Sequence, residues 1–297
     1  MSGCTLCPRR CGVQRPLSLA DGGPFGVCGM GQLPVVARAA AHFGEEPCIS
    51  GTRGSGTVFF SGCSLCCVFC QNREISADRF GKELTVPQLR ETMERLVALD
   101  VHNINLVNPT HFVPAIAEAL APPLPVPVVY NTGGYDRVET LRLLEGKVDI
   151  YLPDLKYADP ARAKRYSGAA DYPEVALAAI QEMVRQVGSP QFDGEGMLRR
   201  GVIVRHLVLP GGLADTKAVI DLLADTFAEG EILVSLMSQY TPCRLQEGYP
   251  ELGRRLTTRE YTRAVEHLQM RGITAGYTQA ITSATPDEIP VFDLTGL

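Results

Sequence analysis

No stretch of this 297-residue chain approaches the roughly 20 apolar residues that a membrane span requires. The opening MSGCTLCPRRCG has no apolar core of the kind a secretory signal carries. Bases do not exceed acids either. With 28 Lys and Arg against 33 Asp and Glu, the formal net charge is −5, and the chain-wide basic footprint of a nucleic-acid binder is missing. There is no internal repeat and no low-complexity tail. Gly133-Gly134 and Gly211-Gly212 lack the spacing of a P-loop or a dinucleotide fingerprint and read as plain turns. No Ser/His/Asp arrangement suggests a hydrolase. These absences leave a protein expected to be soluble and cytoplasmic, with no nucleic-acid or membrane partner.

What is present is cysteine, and it is unevenly spread. Nine of the ten cysteines lie between Cys4 and Cys70, and only Cys243 lies beyond. A disulfide framework belongs to a smaller secreted protein and would be distributed through it, so clustered thiols here point to metal or redox chemistry. At 45% hydrophobic composition the chain has ample material for a core.

Short apolar runs at 57–61, 103–108, 126–131, 148–153, 202–208 and 232–237 read as buried strands. Their near-continuous Val, Ile and Leu content suits parallel strands covered on both faces. Helical patterns fill the gaps. Thr85 and Gln88 form a capping-box signature ahead of Leu89, Met93, Leu96 and Val97. Another helix is expected over 171–187, with Pro173 in its first turn, and a third over 257–271. Strands alternating with helices predict an α/β fold with a mostly parallel sheet, either an open doubly wound sheet or an incomplete barrel. Both put the active site at the carboxyl ends of the strands. There the polar sequences SGC, NPTH, YNTGGY, PDLKY, RHLVLPGG and SQYTP gather. Residues 1–50, rich in Cys, Gly, Pro and Arg, read as an irregular extension, and 51–297 as the α/β unit.

The densest cluster is CSLCCVFC, residues 63–70. It offers two three-thiol sets, Cys63/Cys67/Cys70 and Cys63/Cys66/Cys70. Thiolates from one compact loop can hold a cubane iron–sulfur cluster and leave one iron open, whereas structural zinc takes four ligands. Cys-x3-Cys-x2-Cys directly after a first strand, with Phe69 before the last thiol, resembles the signature loop of the radical SAM superfamily. Further segments, EEPCISGTRGSGTVFFSGC, CQN, VYNTGGY, VDIYLPDLKYAD, RHLVLPG and VSLMSQYTP, resemble the uncharacterised iron–sulfur proteins related to pyruvate formate-lyase activating enzyme.

The resemblance implies a partial (β/α)6 TIM-like barrel of parallel strands. It implies a [4Fe–4S] cluster on Cys63, Cys67 and Cys70, with S-adenosylmethionine on the fourth iron. The reaction it implies is reductive cleavage to a 5′-deoxyadenosyl radical, an oxidoreductase chemistry fed by a one-electron donor such as flavodoxin or ferredoxin. A protein or peptide is one hydrogen donor it suggests. Cys66 stands where relatives of this type carry Arg. Its readings are a small residue facing away from the cluster, a labile redox thiol, a substitute ligand, or a cap on the fourth iron.

Cofactor contacts are expected at Asn108, Thr110 and His111 after the second strand, and at Asn131 and Thr132 after the third. This chain has Asn-Pro-Thr-His where the family has Gly-Gly-Glu. Asp154 and Lys156 resemble the Asp-x-Lys of glycyl-radical activating enzymes and equally suit a salt bridge at the barrel mouth. Of Arg205 and His206 only one can point inward. An inward Arg205 suits a carboxylate, and His206 suits the core. Cys4, Cys7, Cys11 and Cys28 would satisfy either a zinc ion or a second iron–sulfur cluster. Cys48 and Cys243 read as buried residues. The reading from another class is a non-catalytic iron–sulfur or zinc protein, an electron carrier or interaction module.

Overall fold

The computed structural model describes residues 3–242, 248–279 and 290–297. Its strands are β1 (Val35–His42), β2 (Ser55–Phe60), β3 (Lys82–Glu83), β4 (Ile104–Val107), β5 (Val128–Thr132), β6 (Ile150–Pro153), β7 (Gln191–Phe192), β8 (Leu198–Leu207), β9 (Leu233–Met237) and β10 (Gly276–Thr278). They lie in the order β10-β9-β8-β6-β5-β4-β2-β1-β3, with β7 a short ribbon on β8. Every neighbour pair from β2 across to β10 is parallel, and β1 runs antiparallel to β2 and β3. The six expected strands are β2, β4, β5, β6, β8 and β9, each followed by a helix. The result is a partial barrel of six βα units.

Helix starts follow the expected chemistry. Thr85 accepts from the Gln88 N–H and Gln88 returns the bond, opening the helix Val86–Val97 and burying Leu89, Met93 and Leu96. Thr257 and Glu260 do the same for Thr258–Met270, and Pro173 sits in the first turn of Tyr172–Val187.

Two elements escaped the pattern. β10 adds a seventh parallel strand of three residues. More consequentially, the supposedly irregular first 50 residues contain the eight-residue β1, so the irregular stretch ends at Pro34. The sequence VVARAAAH is alanine-rich, and after Val35 and Val36 it has none of the branched residues, Phe, Tyr or Trp that mark strands. Its pairing with β2 forms it, not its own propensity.

Alternation along the parallel strands builds two layers. Val128, Tyr130, Tyr151, Val202 and Val204 face outward into the core shared with the helices. Val129, Ile150, Leu152, Ile203 and Leu233 face inward and pack against Cys48 and Ile49. The short helix Pro47–Ser50 therefore plugs the barrel floor. Continuing the same period of two toward the strand ends brings Asn131, Asp154, Arg205 and Ser235 onto the inner face above that apolar layer. The inside of the barrel is thus greasy below and polar above.

Candidate metal centre and cofactor cavity

Beyond β2 the chain turns at Gly62, whose φ of +80° is left-handed and open to glycine. A side chain there would also bring its Cβ to 2.7 Å from the Cys28 carbonyl oxygen. The loop that follows delivers Cys63, Cys67 and Cys70 to one wall of a cavity of 160 Å³. Each thiol meets a donor. The Leu65 N–H lies 3.4 Å from Cys63 Sγ, the Ser167 hydroxyl 3.0 Å from Cys67 Sγ, and the Ser76 hydroxyl 3.3 Å from Cys70 Sγ. Hydrogen bonds of this kind stabilise thiolates and tune the potential of a cluster they hold. Burial first and the neighbouring Cys67 sulfur second push the Cys63 thiol up, and the same two causes push Cys70 up to about 11. A soft metal centre must therefore displace protons as it loads.

The opposite wall consists of strand ends. Asn108, Asn131, Thr132, Asp154, Lys156 and Arg205 line the same cavity. The Asn108 side chain donates to the Gly62 carbonyl and so tethers the start of the thiol loop. Arg205 points inward, as alternation requires, and sits in a charged knot. Its Nε is 3.1 Å from Asp154 Oδ1, its Nη1 3.1 Å from Glu45 Oε2 and its Nη2 2.5 Å from Asn131 Oδ1. Lys156 Nζ donates to Asp154 Oδ2 at 2.5 Å. Burial alone would lower the Lys156 pKa, but Asp154 and the Cys67 and Cys70 sulfurs more than offset it and hold the ammonium charged. Lys156 is thus a fixed cation beside two of the thiols.

Five positions fall elsewhere. Thr110 and His111 do not line this cavity. Thr110 donates to Asp136 Oδ1 at 2.7 Å, and the hydroxyls of Tyr130 and Thr132 bond the same buried carboxyl at 2.9 and 2.6 Å. His111 is inside the core, with Nε2 2.7 Å from the Ser61 carbonyl oxygen, and burial drives its pKa down to about 3. It is neutral and donates that bond. Sequence position alone had favoured it over His206, because NPTH sits at a strand end. His206 faces outward, Nδ1 2.7 Å from the Leu155 carbonyl and Nε2 3.0 Å from the Thr216 hydroxyl, a satisfied core histidine. Cys66, also with left-handed φ (+49°), turns its exposed thiol away from the cavity toward the Cys63 carbonyl at 3.2 Å. Cys48 lies in the barrel floor, and Cys243 falls outside the described residues.

The placement of His111 carries a prediction. Replacing it with Leu removes the donor to Ser61 and should cost about 1–3 kcal/mol in urea unfolding. S-adenosylmethionine binding to the reconstituted protein, measured by equilibrium dialysis, should be unchanged. Weakened binding at unchanged stability would return His111 to the cofactor site.

Glu45 went unnoticed in the sequence although it anchors the knot. It accepts from Asn105 at 2.9 Å and Asn131 at 3.2 Å as well as from Arg205. Its neighbour Glu46 is buried, and that burial raises its pKa. The acidic pair in GEEPC has no periodicity, and only the plugged floor brings it under the strand ends.

At the N-terminus, Cys4, Cys7, Cys11 and Cys28 come together closely enough that the sulfurs of Cys4, Cys11 and Cys28 all act on the Cys7 thiol. Burial, the largest cause, pushes that thiol up to about 12. Among the described residues no three Cys, His, Asp or Glu side chains are drawn as close together as the ligands of a single ion. This applies to the thiols of the 63–70 loop too. A cubane spreads its irons over the corners of a cluster and accepts wider-set thiolates than one tetrahedral ion does.

Residues 57–223 match the family model of the Radical SAM superfamily. The chain belongs to that superfamily. An uncharacterised protein of Methanocaldococcus jannaschii is 30% identical over 273 residues, covering 89% of this chain and 73% of that one. Among solved structures, a domain of the pyruvate-formate lyase-activating enzyme of Bacteroides vulgatus is 13% identical with a TM-score of 0.40, over 58% of this chain and 91% of that one. Methylornithine synthase is 17% identical with a TM-score of 0.46, over 70% of this chain and 60% of that one. Radical SAM membership implies a [4Fe–4S] cluster and cleavage of S-adenosylmethionine. Three thiols around one cavity, each with a donor and with a fixed cation beside them, fit such a cluster by the chemistry of the donor set.

Proposed function

We propose that Cys63, Cys67 and Cys70 hold the [4Fe–4S] cluster and that S-adenosylmethionine occupies the cavity between them and the strand ends. The carrying observation is the convergence of the three thiols with Asn108, Asn131, Thr132, Asp154, Lys156 and Arg205 on one space. When bound and given one electron, this pair supplies a 5′-deoxyadenosyl radical for hydrogen abstraction. The chain's own contribution is position and charge. Asn108 sets the loop, Lys156 offsets thiolate charge, and Arg205 presents a guanidinium that a cofactor carboxylate can share with Asp154 and Glu45. Cys66, turned away, is not a ligand.

A second cavity of 420 Å³ shares Asn72, Val107, Asn131 and Arg205 with the first, and reaches His42 of β1 and Tyr277 and Thr278 of β10. It is the place for the hydrogen donor. We assign that donor to a protein or peptide, as in the glycyl-radical activating enzymes the motifs resemble. A flavodoxin or ferredoxin as electron donor and a cytoplasmic site of action belong to the same reading, as does a zinc ion or second iron–sulfur cluster on Cys4, Cys7, Cys11 and Cys28.

The test is anaerobic reconstitution with iron and sulfide, addition of S-adenosylmethionine and a strong reductant, and quantification of 5′-deoxyadenosine and methionine. Both should form in equal amounts. A protein with its cluster assembled that neither binds S-adenosylmethionine nor forms these products would instead be an electron carrier.

A further inference from the structure

The segment from Gly3 to Leu33 has almost no apolar interior. Its 3-10 turn Leu19–Asp21 buries nothing, and the buried side chains with more than a hydrogen are Cys7, Arg15, Cys28 and Met30. Two of those four are thiols. The backbone around them is nonetheless ordered into turns. Cys4 N–H donates to Val13 O at 2.8 Å, Gly12 N–H to Cys4 O at 3.0 Å and Arg10 N–H to Cys7 O at 3.1 Å, and Gly29 N–H to Gly26 O at 2.9 Å closes a turn around Cys28. Cys28 and Met30 pack into the main core, but little else apolar holds the segment. The Val27 N–H lies 3.4 Å from Cys11 Sγ and so ties the first thiol turns to the Cys28 turn, and four thiols on these turns offer a metal centre that adds folding free energy.

Two arms leave this module and grip the thiol loop from both sides. Arg9, between Cys7 and Cys11, sends its guanidinium to three carbonyls: Nε to Ser64 O at 2.8 Å, Nη2 to Ser167 O at 2.7 Å and Nη1 to Gly168 O at 2.5 Å. Ser64 directly follows Cys63, and the hydroxyl of Ser167 is the donor to Cys67 Sγ at 3.0 Å. One side chain thus fixes the backbone on which two of the cluster thiols depend. On the other flank, the Cys28 carbonyl and the Met30 side chain abut Gly62, where even a Cβ would come within 2.7 and 2.5 Å of them. Buried Arg15 locks that flank by donating to Met30 O at 3.0 Å, to Gly31 O and to His111 O at 2.8 Å.

Resting on the reading that these four thiols bind metal, we propose that the N-terminal centre is a clamp on the radical cluster, transmitted by Arg9 as positioning residue. Metal bound by Cys4, Cys7, Cys11 and Cys28 fixes the turns that carry Arg9 and Cys28. Through them it sets the Gly62–Ser64 backbone and the Ser167 hydroxyl. As at the 63–70 loop, the centre at the module is an iron–sulfur cluster on wider-set thiolates and not a single tetrahedral ion.

Anaerobically prepared full-length protein tests this in two stages. In a Cys63→Ala/Cys67→Ala/Cys70→Ala variant, elemental analysis should find metal remaining on the N-terminal thiols. Iron with sulfide is the expected result, and zinc without sulfide, or no metal of either kind, would overturn the underlying reading. In Arg9→Ala, that N-terminal metal and the 63–70 loop's iron should both remain. The reduced cluster's paramagnetic resonance spectrum and midpoint potential should shift, and S-adenosylmethionine affinity should fall about tenfold, in the range seen when groups supporting metal ligands are removed. Arg9→Lys, which keeps a donor to these carbonyls, should recover part of the potential. Arg10→Ala, exposed and outside the clamp, should match wild type. An Arg9→Ala protein with metal in both places and an unshifted spectrum, potential and affinity would eliminate the clamp while leaving the N-terminal metal in place.

Discussion

Cys63→Ala and Cys67→Ala should abolish formation of 5′-deoxyadenosine in the anaerobic assay, while Cys66→Ala should keep it near the wild-type level. That is the largest effect expected from this chain. The three thiols are alike in chemistry but not in placement. Cys63 and Cys67 line the cavity and receive hydrogen bonds from Leu65 N–H and Ser167. Cys66 lies between them in sequence, yet its left-handed backbone turns its exposed thiol outward, and it does not line the cavity. A cubane with three protein ligands loses its attachment when one is removed, since an alanine offers no donor. Substantial product from Cys67→Ala, with loss in Cys66→Ala, would show the loop re-registered by one residue. The iron content of each variant separates a lost cluster from a lost reaction.

Arg205→Met comes second, and its main effect is on stability. Arg205, Glu45 and Asp154 have side-chain exposures of 15, 9 and 16%, so water cannot take over for a missing guanidinium. Truncating one member of a buried charge set leaves the others uncompensated and costs about 3–5 kcal/mol. The loss should depend on pH with a definite sign. Burial alone would raise the Asp154 pKa, but Lys156 and Arg205 overcome it and hold the carboxyl below its ordinary value. A depressed carboxyl contributes stability that is present above its unfolded pKa, about 3.9, and is lost as pH falls through the lower folded value. Without Arg205, Asp154 protonates more readily and the uncompensated charge disappears in acid. The gap between wild type and Arg205→Met, read from urea midpoints, should be wide at pH 7 and narrow as pH falls below about 4. A gap independent of pH would mean that lost packing of the arginine stem, not charge, is responsible.

The two results bear on different layers of the barrel. The thiol loop is a local construction held by its neighbours, whereas the Arg205 knot ties together β5, β6, β8 and the segment before β2. This difference also governs what could be read in advance. Apolar runs at 103–108 and 126–131 announced their strands, because side chains buried on both faces leave a continuous hydrophobic signature. Thr85 and Thr257 announced their helices, because a capping box is complete within four residues. VVARAAAH announced nothing, since its strand exists by pairing with β2. Glu45 was silent for a similar reason. Its partners Asn105, Asn131 and Arg205 are 60, 86 and 160 residues away.

His111 and Arg9 show the limit from two directions. At a strand end, His111 looked exposed to cofactor, but one helical turn after Asn108 drops it behind the cavity wall against Phe112, ring centroids 4.2 Å apart. Arg9 is marked in the sequence only by its place between Cys7 and Cys11, yet it reaches carbonyls at positions 64, 167 and 168. By itself the sequence determined the six βα units, the cysteine spacing and the polar strand ends, all of which are encoded within a few residues by periodicity and caps. Only the tertiary structure decided which of these polar residues face one cavity, that Cys66 turns away, and that the N-terminal thiols sit against the loop. Those outcomes depend on the stacking of strands and on the plug beneath them, contacts between segments that no short stretch of sequence contains.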